Sequence, residues 1–261
     1  MLQNLFDSHG HYDDPRFDED RAQLLASMKE NGIVRIMNIG NNTSANIAGM
    51  ELAKQYDFIY CTTGIHPDQS LEIYNQNSLA YLDVLAEQSR IEKCMAIGEI
   101  GLDYYYDDNA PRDIQKIIFE QQLALAKDLN LPVVIHSRDA AQDTIDLLKK
   151  YQPKGIVHCF SGSAEMAKEV VKMGMYVGFT GVITFKNARR AIEAAGEVPL
   201  NRLLIETDCP YMAPEPFRGK RCDSTMIERM AMKLAEVKGI APQEMADITC
   251  ENAFTVYNMT R

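Results

Sequence analysis

Short runs of apolar, often β-branched residues alternate with longer amphipathic segments from one end of the chain to the other. A short apolar run is typical of a buried strand, whereas apolar residues spaced three and four apart are typical of a helix packed on a sheet. The short runs predict eight strands, at residues 5–6, 34–39, 58–62, 94–97, 132–135, 155–158, 176–179 and 203–205. The longer segments predict helices at residues 21–31, 45–55, 79–88, 114–129, 140–150, 164–173, 188–195, 224–238 and 242–258.

This alternation predicts the fold class. Strands that alternate with helices pair in parallel, and eight repeats favour an α/β fold closed into a (β/α)8 TIM barrel. A doubly wound open sheet is the alternative that the pattern leaves open. The chain has 261 residues, and a barrel of about 250 residues is commonly one domain. We therefore expect a single domain over residues 1–261 with an extra C-terminal helix.

The composition narrows the classes of protein that the chain can represent. Its 46% hydrophobic and 25% charged residues are typical of a folded globular domain. It has no apolar run long enough to cross a bilayer and no export signal, so we expect a cytoplasmic protein with no membrane partner. The six widely spaced cysteines are expected to be reduced thiols. A net charge of −10 argues against a protein that coats nucleic acid through a broad basic surface.

All five histidines lie at or just beyond the ends of predicted strands. His9 and His11 follow the first strand, His66 follows the third, His136 ends the fifth and His158 ends the sixth. The carboxyl ends of barrel strands form the rim on which active sites are built. This placement indicates a common site.

Carboxylates occupy the same kind of position. Glu99 follows the apolar run 94–97, and Asp208 follows the last strand, with Glu206 two residues before it. Residues two apart on a strand point to the same face, so Glu206 can share a face with Asp208. Imidazoles mixed with carboxylates suit Zn, Mn, Co or Ni. The donors outnumber the ligands of one ion, which favours two ions that share a bridging carboxylate.

At these residues the chain resembles the TatD family of metal-dependent deoxyribonucleases, a branch of the amidohydrolase-like metallohydrolases. The matching segments occur in order over nearly the whole chain. They are FDSHGH at 6–11, GIHP at 64–67, GEIGLDY at 98–104, PVVIHSRDA at 132–140, HCFSG at 158–162 and LIETDCPYMAPEPFRGKR at 204–221.

The resemblance implies a hydrolase that uses two divalent ions, Mg, Mn or Zn. It implies two ligand sets that share Glu99, namely His9, His11, Glu99 and Asp208 for one ion, and Glu99, His136 and His158 for the other. Asp208 would also accept the proton of the attacking water, and Glu206 is a candidate base or water-orienting group. His66 is expected to touch substrate phosphate or water, and the alternative for it is a loop anchor beside Pro67.

Basic residues near the rim are candidates for substrate binding. Arg138 follows His136 by two residues, and Arg218, Lys220 and Arg221 lie in the loop after the last strand, where barrels often bind phosphate. A guanidinium fork suits phosphate oxygens. The alternative is a solvated surface loop.

Aromatic residues near the rim are candidates for stacking on unpaired bases. They are Tyr104, Tyr105, Tyr106 and Phe217. After the RGKR segment, Cys222 begins a stretch that departs from the family pattern, in which Asn, an acidic residue and Pro are common. The shape of this loop, and with it the preferred strandedness of the substrate, is left open.

The leading expectation for the reaction is 3′–5′ exodeoxyribonuclease or phosphodiesterase activity of a monomer on DNA, at single-stranded or frayed 3′ ends. The alternative is an amide or ester hydrolase of the amidohydrolase kind, including an aminoacyl-tRNA deacylase, because two metal ions can also activate water toward a carbonyl. A barrel that only binds its ligand is disfavoured, because all six implied metal ligands are present.

Overall fold

Eight parallel strands form one sheet in the computed structural model, which describes residues 1–260. The strands are β1 (Leu5–Gly10), β2 (Ile33–Asn38), β3 (Ile59–Thr63), β4 (Cys94–Asp103), β5 (Val133–Arg138), β6 (Gly155–Val157), β7 (Tyr176–Phe179) and β8 (Leu203–Ile205). Their order in the sheet follows the sequence, and each neighbouring pair is parallel.

The sheet closes into a barrel just beyond β8. Gly10 forms a parallel bridge with Cys209, and the Asp208 N–H donates to the His9 carbonyl at 2.8 Å. The closing bonds therefore lie at the carboxyl rim, directly at candidate site residues. The prediction of a TIM barrel is confirmed.

Ten helices connect or cover the strands within residues 1–260. They are α1 (Arg21–Ala26), α2 (Thr43–Gln55), α3 (Ser70–Asn75), α4 (Ala80–Gln88), α5 (Arg112–Leu129), α6 (Ala141–Tyr151), α7 (Ala164–Lys172), α8 (Arg189–Glu197), α9 (Glu228–Lys238) and α10 (Pro242–Val256). None of these helices combines the length and the apolar character that a membrane crossing requires.

The extra C-terminal helix α10 packs on β1 and β8. Its Phe254 and nearby Tyr257 join a buried cluster with Phe6 and Leu204 of these strands. The Tyr257 hydroxyl also donates to the Ser8 carbonyl at 2.9 Å. Helix α10 thus covers the interior of the barrel on the side away from the rim.

The structure differs from the predicted elements in several places. Strands β1 and β5 extend beyond their predicted ends to Gly10 and Arg138, and residues 224–226 form a 3-10 turn separate from α9. Helix α1 ends at Ala26, and a separate 3-10 turn covers Lys29–Asn31. Helix α3 was not predicted, because its six residues are too few to show a clear period. Strand β4 continues to Asp103, although its apolar run stops at 97, because its backbone keeps pairing with β5 as far as Arg138.

The six cysteines are free thiols, and all but Cys159 are buried. Cys222, at which the sequence departs from the family pattern, belongs to the main hydrophobic core. The first residue that departs from the family pattern is therefore a buried residue that packs the loop against the core.

Candidate active site

The candidate site residues extend the inward-facing positions of the strands. Ile156 and Leu204 pack inside the barrel. Two residues beyond Ile156 lies His158, and two and four residues beyond Leu204 lie Glu206 and Asp208. The alternation of a strand keeps such residues on one side. The barrel interior therefore changes from apolar to ionisable at its carboxyl rim.

Glu99 lies at the centre of the cluster and is 4% exposed. Its Oε2 lies 3.6 Å from Nε2 of His9 and 3.8 Å from Nε2 of His11. Its Oε1 lies 2.6 Å from Nε2 of His158 and 2.9 Å from Nδ1 of His136. Each carboxylate oxygen thus faces one pair of imidazoles, which is the arrangement that a carboxylate bridging two ions requires.

The first pair of imidazoles faces a second carboxylate. The Nε2 atoms of His9 and His11 are 3.2 Å apart, and Oδ1 of Asp208 lies 3.6 and 3.5 Å from them. Two nitrogens that each bind one ion at about 2.0–2.1 Å lie about 3.4 Å apart in tetrahedral geometry. Nδ1 of His11 contacts the Ile39 carbonyl at 3.0 Å, which turns Nε2 toward the cluster. These donors fit a divalent cation.

The second pair is held from behind by another carboxylate. Nδ1 of His136 lies 3.4 Å from Nε2 of His158. Nε2 of His136 contacts Oδ2 of Asp103 at 3.1 Å, so that Nδ1 faces Glu99. His66 approaches the same oxygen of Glu99 at 3.8 Å through Nε2, while its Nδ1 contacts Asp68 at 2.8 Å. The structure thus brings His66 to the edge of the second group.

Electrostatics within the cluster set the charges of the imidazoles. Burial and the charge of His158 lower the pKa of His9 to about 4. Burial also acts against the charged form of His11, but the hydrogen bond to Asp208 and the charge of Glu99 outweigh it and raise the pKa to about 9. A cation that binds here near pH 7 must therefore displace a proton from His11.

The carboxylates divide into two types. Burial favours the neutral form of Glu99 and Asp208, but neighbouring imidazoles outweigh burial and hold both pKa values below their usual range. Burial dominates at Glu206 and raises its pKa to about 7, although the His158 charge and the Cys159 N–H lower it in part. Glu99 and Asp208 are therefore ionised at neutral pH, whereas Glu206 can exchange a proton there.

Among residues 1–260, three combinations of His, Asp, Glu or Cys side chains bring their ligand atoms within 4.8 Å of one another. They are His9, His11 and Glu99; His66, Glu99 and His136; and His9, His158 and Glu206. The third combination arises because the rings of His9 and His158 stack with their centroids 3.9 Å apart. Oε1 of Glu206 lies 3.7 Å from Nδ1 of His158, on the opposite edge of that ring from Glu99.

Arg138 lies at the end of β5, on the strand that carries His136. Its guanidinium lies 3.8 Å from the ring centroid of Tyr105 and 4.9 Å from that of Tyr106. It also donates to the Tyr106 hydroxyl at 3.1 Å. Tyr104 contacts Asp143 through its hydroxyl at 2.7 Å. Of the rim aromatics, Tyr105 and Tyr106 thus accompany Arg138.

The basic loop after β8 has other partners. Arg221 binds Asp20 at 2.6 and 2.8 Å and donates to a carbonyl of the loop after β1. Arg218 lies 4.3 Å from the centroid of Phe185, and the Lys220 ammonium lies over Phe217. Arg221 therefore ties two loops together, and the structure does not bring these three residues into the histidine cluster.

The sequence analysis assigned no role to two carboxylates that the structure places in or beside the site. Asp103 orients His136, and Asp7 accepts hydrogen bonds from the N–H and hydroxyl of Thr207 and from the hydroxyl of Ser224. Both lie in segments that resemble the family. The sequence did contain one signal for them. Each is an acidic residue in a strand expected to be buried, and a buried carboxylate requires a hydrogen-bonding or charged partner.

Comparison with known proteins gives consistent matches. A family model described as TatD related DNase matches residues 6–258. An uncharacterized metal-dependent hydrolase of Bacillus subtilis, YabD, is 42% identical over 98% of this chain and 99% of its own length. A protein of a Rahnella strain, named 3′-5′ ssDNA/RNA exonuclease TatD, is 32% identical over 94% of this chain and 95% of its own. The crystal structure of YjjV, a TatD homolog of Escherichia coli, is 30% identical, covers both chains fully and superimposes with a TM-score of 0.88.

Proposed function

Because the chain belongs to the TatD family of metal-dependent hydrolases, we propose that it is a 3′–5′ exonuclease or phosphodiesterase that acts on single-stranded DNA ends. The observation that carries the proposal is the central Glu99, each oxygen of which faces one pair of imidazoles. The name of the Rahnella relative supports the same reaction class.

The proposed ligand sets follow the two sides of Glu99. The first ion would be held by His9, His11, Asp208 and Glu99, and the second by Glu99, His136 and His158. The mixture of imidazole and carboxylate suits Zn or Mn better than Mg. When bound, two such ions polarise phosphate oxygens and lower the pKa of water.

Asp208 is the proposed proton acceptor for the attacking water. Its neighbouring imidazoles keep it ionised, so it can accept a proton at neutral pH. Hydrolysis joins the water oxygen to phosphorus and breaks the bond to the 3′ oxygen of the remaining strand, which takes up a proton. Glu206, with a pKa of about 7, lies 3.7 Å from Nδ1 of His158 and is suited to exchange a proton beside that ring.

Two further residues are proposed to position the phosphate. Arg138 offers a guanidinium beside two tyrosines at the rim. His66 is oriented by Asp68 and faces Glu99 through Nε2, where a phosphate oxygen can meet it. The contacts of Arg221 with Asp20 favour Arg138 over the basic loop as the first phosphate contact.

The direct test uses metal-free protein resupplied with Mg, Mn or Zn in turn. The substrates are single-stranded and duplex DNA, labelled at either end. We expect stepwise removal of nucleotides from the 3′ end of the single strand with Mn or Zn. Glu99→Gln should reduce the rate by at least about 100-fold, because losing a ligand of a metal site affects both ions, while the circular dichroism spectrum stays unchanged.

The matched control is Glu87→Gln, at an exposed glutamate of α4, which should retain full activity. Full activity of Glu99→Gln protein would overturn the bridging role. Hydrolysis of an aminoacyl ester together with no cleavage of any DNA would overturn the nuclease proposal and favour the carbonyl alternative.

A further inference from the structure

A cleft of about 320 Å³ opens directly beside His11. The segment after β1 forms one wall with Asp13 and Asp14, and the start of α2 forms another with Asn41 and Asn42. His11 is a proposed ligand of the first ion. A group attached to a phosphate at the metal centre therefore has a path into this cleft.

Tyr211 supplies an aromatic wall of the cleft. Its N–H donates to the carbonyl of Asp208 at 2.9 Å, so a tight turn fixes the ring next to the site. The guanidinium of Arg16 lies 4.1 Å from the ring centroid and is itself held by both carboxylate oxygens of Asp14. The side chain is nevertheless 48% exposed. A supported, exposed ring beside a phosphate site is suited to stacking on a base.

The other cleft residues offer neutral hydrogen-bonding groups. The Asn42 amide donates to Oδ1 of Asn41 at 2.8 Å, and its own oxygen caps α2 at Ala45. The two amides are thus held in place at the cleft wall. Amides of this kind match the donors and acceptors of base edges.

The charge of the cleft selects against phosphate. Asp13 bonds to the neutral amide of Asn38 at 2.8 Å, whereas the charge of Asp14 is paired with Arg16. Within residues 1–260, no salt bridge neutralises Asp13, so its carboxylate disfavours a second phosphate at this wall of the cleft.

On the opposite side of the cluster, two arginines lie with one aspartate, so the net charge of these three side chains is positive. Arg138 lies at the end of β5, and Arg190 lines a small pocket together with Asp139, His158 and Ser161. The phosphates of the retained strand are therefore favoured on that side. Only the uncharged end of a strand suits the acidic cleft.

From this asymmetry we propose that the cleft between Tyr211 and Asn41 binds the terminal nucleoside of the strand, with its base on Tyr211, and that Asp13 rejects an end bearing a 3′ phosphate. The inference rests on the proposed function. It deepens that function by explaining why cleavage starts at a free 3′ end.

The test is equilibrium binding to the Mn-loaded protein by isothermal titration calorimetry. The probes are deoxyadenosine 5′-monophosphate, deoxyribose 5-phosphate and deoxyadenosine 3′,5′-bisphosphate. We expect the monophosphate to bind about tenfold more tightly than the sugar phosphate, because only the former can stack. Tyr211→Ala should abolish this difference and Tyr211→Phe should keep it. Tyr74→Ala, at an exposed tyrosine of α3, is the matched control and should bind like the unaltered protein.

The bisphosphate tests the charge of the cleft. It should bind more weakly than the monophosphate, and Asp13→Asn should reduce that gap. Equal binding of the monophosphate and the sugar phosphate would overturn the nucleoside subsite but leave the proposed function intact. Failure of every probe to bind, together with no cleavage of DNA, would overturn both.

Discussion

Asp103 and Asp208 are both carboxylates at strand ends, but they have different neighbours. Asp208 faces the Nε2 atoms of His9 and His11. Asp103 instead contacts the outer nitrogen of His136 and accepts the Tyr105 N–H at 2.9 Å. A carboxylate in that position fixes the ring of a metal-binding imidazole and raises its basicity. Asp103 is therefore a positioning residue for His136.

Replacing Asp103 by Asn should weaken metal binding at the second group by about 10–100-fold, because His136 loses its orienting charge. The affinity can be measured by competition with a chromophoric chelator. Asp108→Asn, in the exposed loop after β4, is the control and should bind metal normally. Unchanged affinity of the Asp103→Asn protein would contradict the positioning role.

Some positions of the site residues could be predicted from the sequence, and some of their contacts could not. The five histidines and Glu99 follow apolar runs, so their common rim was predictable from order alone. The contact between Asp103 and His136 was not, because it depends on β4 continuing past its apolar run in register with β5. The pairing of Arg221 with Asp20 joins positions far apart in the sequence and left no local signal.

At the scale of elements, β1 and the segment after β8 are joined by one buried carboxylate. Asp7 accepts hydrogen bonds from the N–H and hydroxyl of Thr207 and from the hydroxyl of Ser224, at 2.9, 2.6 and 2.6 Å. Burial raises the pKa of Asp7 to about 6, although these hydrogen bonds lower it in part. The junction between β1 and the segment after β8 therefore contains a carboxyl group, that of Asp7, which titrates below neutral pH.

The sign of its effect on stability follows from the two states. The pKa of Asp7 is higher in the folded chain than its ordinary value of 3.8, so the folded chain binds the proton more tightly. This contribution to the free energy of unfolding is fully present below about pH 4 and is lost as the pH rises through about 6.

We therefore predict that raising the pH from 5 to 7 changes the stability of the unaltered protein relative to Asp7→Asn by about 1 kcal/mol, in favour of the variant. Urea unfolding of both metal-free proteins at the two pH values measures this change. Asp57→Asn, before β3 at the surface, should show none of it. A change of the opposite sign would contradict the assignment of the titration to Asp7.

Elements were predictable where hydrophobicity and backbone pairing coincide, as in β6 to β8. They were not where pairing continues through glycine and charged residues. Gly101 in β4 shows the reason. It has φ of +146°, and a Cβ there would lie 2.0 Å from the His136 carbonyl oxygen. Strand β4 therefore needs a glycine where its backbone lies against that of β5, and a hydrophobic pattern does not detect this requirement.

At the scale of the whole molecule, a net charge of −10 coexists with a proposed substrate that is itself an anion. Under the proposed function, attraction must then come from the site, where the proposed ions and the arginines Arg138 and Arg190 would meet the strand end. The remaining acidic surface repels long tracts of nucleic acid.

We accordingly predict a shallow dependence of DNA binding on salt. Each phosphate contact to a single strand contributes about −0.7 to the slope of log affinity against log salt concentration. Two arginine contacts then give a slope between about −1 and −2. Fluorescence anisotropy of a cleavage-resistant phosphorothioate oligonucleotide in increasing KCl measures it. A slope steeper than about −4 would indicate an extended basic track and contradict this picture.

Helix α10 is anchored to the start of the chain as well as to the barrel interior. Gln243 exchanges two hydrogen bonds of 3.0 Å with the backbone of Gln3, and Asp247 accepts one from Asn4 at 2.8 Å. These contacts lie before β1, at the opposite end of the barrel from Glu99. If a molecule is attached to a solid support through its first residues or through α10, the carboxyl rim with the histidine cluster faces the solution. The fold therefore provides an orientation in which an immobilised molecule can be tested for the proposed shortening of single DNA strands.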